Sequence, residues 1–149
     1  MSRTLTPDQV MRAVAALEAA WANDDDALSA LVRGGHDEQP LAMLIAEFGA
    51  SRLQTMVLIV TDIPNPDGAG RQGAFAELRE GLISHLTTVA LSMMSGWARC
   101  AGDDVQATGG LARRVLQALL AFTTVGDDPQ EVRALLADLR AYARSSAEP

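Results

Sequence analysis

The stretch EGLISHLTTVALSMMSGWAR, Glu80 to Arg99, encloses 18 residues without Asp, Glu, Lys or Arg. Its apolar residues do not alternate as a half-buried strand requires. Leu82, Leu86, Val89, Met93 and Trp97 recur at spacings of three and four, the period of one helix face. Carried back through Phe75 and Leu78, the pattern predicts one long helix over about 72–101, with Ile83, Ala90 and Met94 forming a second apolar face. A helix apolar on two faces is expected to be surrounded by others, so the segment is placed at the centre of the domain. A membrane span is rejected. Gly81, Ser84, His85, Thr87, Thr88, Ser92, Ser95 and Gly96 are too polar together for a single span facing lipid, and no other segment suits packing beside it in a bilayer.

The rest of the chain agrees with a helical domain. It contains 26 Ala and 19 Leu, strong helix formers, and only 4% aromatic residues. Thr6, Pro7 and Gln9 read as a cap, a first-turn proline and a capping-box partner, followed by Val10, Val14, Leu17 and Trp21 on one stripe. Asn23 is a cap candidate for a second helix, whose first turn carries Asp24, Asp25 and Asp26 and which stops at Gly34 and Gly35. A third segment runs from Pro40 to Phe48 and ends at Gly49. A fourth starts at Ser51 and places Leu53, Met56, Val57 and Val60 together. Beyond the long helix, Asp103 and Asp104 cap a segment interrupted by Gly109 and Gly110. Asp128, Pro129 and Glu131 then repeat the opening cap signature before Val132, Leu135, Leu136, Leu139 and Tyr142.

These segments predict an all-α fold: a bundle of six or seven helices around the 72–101 helix, in a single domain over 1–149. Pro64, Pro66, Gly68, Gly70 and Gly73 mark a flexible loop at about 64–73. Residues after Arg144 are expected to fray. A chain of 149 residues buries roughly two thirds of the surface its unfolded form exposes, so its core needs no disulfide or metal.

Charge and cysteine content narrow the function. A formal charge of -7 with no basic run opposes binding to nucleic acid, which needs clustered cations on phosphates. Met1 to Thr6 lacks the basic start and apolar run of a secretory signal, and the single Cys100 suits a reducing compartment, so a cytoplasmic location is expected. No metal site or cofactor is expected. His36, Asp37 and Glu38 supply one histidine beside two acids that serve a helix start, and His85 and Cys100 are remote. Cys100 sits near a helix C-terminus, where the dipole opposes a thiolate, and reads as a structural or idle thiol.

Two sets of residues on the long helix remain. Ser84, Thr88, Ser92 and Ser95 form a stripe of small hydroxyl residues that lets another helix approach closely, and Ser84, Thr88 and Ser92, with Met94, are the interface candidates. Trp21, Met56, His85, Met93 and Trp97 are the residue types that line an apolar ligand pocket, with His85 to orient a polar group. Arg113 and Arg114 are candidates for an anion contact. The leading expectation is a non-catalytic interaction module that associates with itself, as a homodimer, or with another protein through apolar helix faces. The first alternative is a domain binding a small apolar ligand near His85. The second is a small enzyme using His36 or His85 with acidic residues.

Overall fold

A computed structural model describes residues 4–34, 39–61, 71–123 and 128–146, with side-chain environments outside 58–80 and 122–127. Among the described residues the chain forms six α-helices and no strand: α1 (Pro7–Trp21), α2 (Asp25–Arg33), α3 (Leu41–Thr61), α4 (Arg71–Ala101), α5 (Val105–Thr123) and α6 (Pro129–Ser145). The fold is the expected all-helical bundle. The loop expected at 64–73 and the His36, Asp37 and Glu38 group fall outside the described residues, apart from the start of α4.

Local chemistry starts each helix where the side chains allow it. At α1 the Thr6 hydroxyl accepts from the Gln9 N–H and the Gln9 side chain accepts from the Thr6 N–H, a complete capping box with Pro7 behind it. Asp24, rather than Asn23, caps α2 through the Ala27 N–H. Asn23 instead takes φ 53 in the turn between the helices, a left-handed conformation that Asn tolerates better than most residues. Asp104 accepts from the Ala107 N–H at the start of α5, and Asp128 accepts from the Gln130 N–H before Pro129 at α6.

Two expected helix breaks do not occur. Gly49 lies inside the continuous α3, and Gly109 and Gly110 lie inside the continuous α5. These glycines mark close approaches between helices. A Cβ on Gly49 would stand 2.7 Å from Val115 Cγ1, and one on Gly109 would stand 2.9 Å from Leu28 Cδ2. α3 is therefore one helix where the spacing around Gly49 suggested two.

The centre of the bundle also differs from expectation. α1, α3 and α5 pack on one another, α6 lies on α1, α2 spans α1 and α5, and α4 lies on α3 and α5. The core is built from Val14 and Leu17 of α1, Ile45 and Phe48 of α3, Leu111, Val115 and Leu119 of α5, and Val132 and Leu139 of α6. Of the described α4 side chains only Ala98 and Ala101 are fully buried. The long helix is present, but over 81–101 it lies at the rim. The glycine contacts draw α5 against α3 and α2, which fills the central position from the neighbouring segment. Glu18 of α1 and Arg140 of α6 tie the far side together. Arg140 Nη2 donates to Glu18 Oε1, and this hydrogen bond, then the Glu18 charge, raises the pKa of the guanidinium above its usual value.

The glycine contacts predict opposite outcomes for one substitution at two places. Gly49→Ala gains helix propensity but forces a methyl onto Val115, so a net loss of about 1–2 kcal/mol is expected in urea denaturation. Gly81→Ala, with nothing within 4 Å of the new methyl, is expected to gain about 0.5–1 kcal/mol.

Candidate functional site

Because α4 rests on α3 with one face only, its other apolar face points into water. Leu82 is 59% exposed, Leu86 58%, Val89 43%, Met93 71% and Trp97 41%. The first four follow a heptad seam, with Leu82 and Val89 at one core position and Leu86 and Met93 at the other. Met94 and Leu91 lie on the opposite side and are partly buried, Met94 against the core. The polar residues nearest the stripe, His85 and Ser92, are exposed, and the two threonines further round the helix bond to its own carbonyls. Thr87 Oγ1 donates to the Ile83 carbonyl at 2.7 Å and Thr88 Oγ1 to the Ser84 carbonyl at 2.9 Å.

Of the residues expected at an interface, Ser84, Thr88 and Ser92 are exposed on α4, whereas Met94 turns inward. The apolar stripe expected to fill the core is the surface that is free. Trp97 ends it as a fixed edge. Its indole N–H donates to the Ala107 carbonyl of α5 at 3.2 Å, and its ring lies over Gly110, where a Cβ would come within 3.2 Å.

The five residues expected to line an apolar pocket lie on three helices, α1, α3 and α4. Trp21 is exposed at the end of α1, Met56 is partly buried against the core, and His85 and Met93 are exposed on α4. A cavity of about 420 Å³ exists elsewhere, between the segment before α1 and helices α3, α4 and α6, and contains none of the five. Leu5, Phe48 and Leu91 give it apolar walls, and Ser51, Arg52 and Tyr142 give it polar ones. The Arg52 guanidinium lies 4.2 Å from the centre of the Tyr142 ring, a cation–π contact, and its Nη2 reaches Thr55 Oγ1 at 3.4 Å. No carboxylate pairs with Arg52 among the described residues. Glu47 also lines the cavity; its Oε1 accepts from Gln39 Nε2 at 2.9 Å, and its Oε2 is buried with no hydrogen-bond partner among the described residues.

Nothing local announces this cavity in the sequence. Arg52 and Tyr142 are 90 positions apart, and only the tertiary fold brings them together. The lone basic residue on α3 was the one available signal.

Arg113 is already engaged. Its Nε donates to the Ala20 carbonyl at 3.0 Å and its Nη2 to Asn23 Oδ1 at 2.9 Å, which fastens α5 to the end of α1. Arg114 is exposed and bonds to Gln117 one turn on. Cys100 is an exposed free thiol in the last turn of α4. His85 forms no hydrogen bond or ion pair among the described residues.

No helix among the described residues is long and apolar enough to cross a membrane. Compared with protein-family models, curated proteins and solved structures, the chain matches none of them.

Arg113→Ala is expected to lower stability by about 1.5–3 kcal/mol, because it removes the charge-assisted bonds that fasten α5 to the end of α1. Thermal unfolding with and without added phosphate checks the role: the loss is expected to be the same in both.

Proposed function

We propose that the chain is a non-catalytic helical interaction module that associates with itself through the outward face of α4, in a reducing compartment as its unpaired Cys100 suits. The observation that carries this reading is the row Leu82, Leu86, Val89 and Met93, exposed on one side of one helix. Singly exposed apolar residues are ordinary, but with Trp97 this row leaves on the order of 500 Å² in water as one strip, at the upper end of the patches found on monomers. Two such strips together reach about 1,000 Å², the lower range of a specific interface.

Charge supports a second copy as the occupant. Each chain carries -7, and residues 81–98 are the part of the surface where another acidic copy meets no formal charge. Sedimentation velocity tests the reading. The wild type is expected to sediment as a dimer at about 0.1 mM. Leu86→Glu is expected to weaken the dimer roughly 100-fold or more, because a two-fold interface loses the same apolar contact twice. Its helical circular dichroism is expected to stay unchanged, since Leu86 is not part of the core. A monomeric wild type overturns the reading.

A second reading has its own observation in the Arg52 cavity. A half-buried guanidinium steadied on an aromatic ring, without a carboxylate partner among the described residues, beside about 420 Å³ of partly apolar space, suits a small carboxylic acid with an apolar body. Octanoate is expected to raise the Tm of the wild type saturably and leave Arg52→Gln unmoved, whereas octanol moves neither. An equal response in both proteins removes this reading. The enzyme alternative gains no support of this kind, as His85 stands exposed and His36 lies outside the described residues.

A further inference from the structure

We infer that two copies pair antiparallel along α4, about a two-fold axis that crosses the helix between the levels of Thr87 and Thr88. The inference rests on α4 being the self-association face and adds the geometry of the pair. In an antiparallel helix pair the two kinds of seam position face each other across the interface. Here that register sets Leu82 against the second copy's Met93 and Leu86 against its Val89, and the two-fold axis repeats both layers. All four layers are then filled by side chains that are exposed in the single chain. His85 and Ser92, on the flank of the seam, come nearly level across it, and neither carries a formal charge.

A parallel pair is disfavoured by the same residues. It would put Gly96 against Gly96 within the seam, leaving a gap where two side chains are needed, since nothing lies within 4 Å of a Cβ built there. It would also bring together the exposed Asp103 and Asp104 of two acidic chains. The antiparallel register instead sets the acidic turn at 103–104 level with the start of the second copy's α4 at position 71, the positive end of its helix dipole.

Nitroxide labels read by pulsed dipolar spectroscopy separate the arrangements. The native Cys100 supplies one site, and Ser92→Cys in a Cys100→Ser background supplies the other. Both labelled proteins are first shown to sediment as the unlabelled chain does. With a rise of 1.5 Å per residue and helix axes roughly 10 Å apart, the antiparallel pair is expected to give about 40 Å between labels at 100 and about 15 Å between labels at 92. Short distances of about 10 Å at both sites would mean a parallel pair and overturn the inference while leaving self-association through α4 intact. A dimer that gives neither pattern places the interface off α4 and overturns both. A monomer in every sample does the same.

Discussion

α3 and α5 meet at Gly49 so closely that a side chain there would occupy the space of Val115. That approach organises the bundle. With the two helices this near, Phe48, Ile45, Leu111, Val115 and Leu119 share one dense interior, and α1 closes it from the third side with Val14 and Leu17. Gly109 repeats the device against Leu28, which seats α2. Close-packed interiors tolerate little extra volume, so the two glycines fix where three helices can lie. The interior formed by α1, α3 and α5 leaves α4 no central place. It lies along α3 and meets α5 at Trp97.

Rim position gives α4 its chemical character. A helix apolar on two faces can satisfy only one of them against a single neighbour, and here Leu91 and Met94 take the covered side. The uncovered side forgoes roughly 12 kcal/mol of apolar transfer free energy per copy at 25 cal/mol per Å². That is comparable to the whole net stability of an ordinary domain. Leu82, Leu86, Val89 and Met93 could be polar at no cost to the interior, because none of them belongs to it. Their presence together, in seam spacing and without a charge among them, is the ground on which a covered surface is proposed.

The helices were legible in the sequence wherever the signal was local. The Thr6 and Gln9 box, the Asp128 cap with Pro129, and the stripes of α1, α5 and α6 depend only on residues within a few turns. The two misread breaks share a cause. Gly49, Gly109 and Gly110 look like helix stops because glycine carries conformational freedom, but their function is space, which only the opposing Val115, Leu28 and Trp97 reveal. The position of α4 was hidden for a related reason. Its periodicity specified two apolar faces, and periodicity cannot say how many neighbours are available to cover them. The cavity beside Arg52 was less legible still, since its walls come from four separated parts of the chain.

The character of the exposed strip also bears on how far association can go. A surface that fits a second copy of itself closes after two chains, because each copy's strip is consumed by the other. A strip that fitted a different patch on the same molecule would leave one end open and continue as a filament. In the proposed pair the Leu82 to Met93 row meets its own reverse about its midpoint, and Trp97, which α5 already holds, bounds it at one end. Thr87 and Thr88 satisfy their hydroxyls within the helix. In the proposed pair each strip is used up by the other, so the arrangement closes at two chains and does not continue as an array.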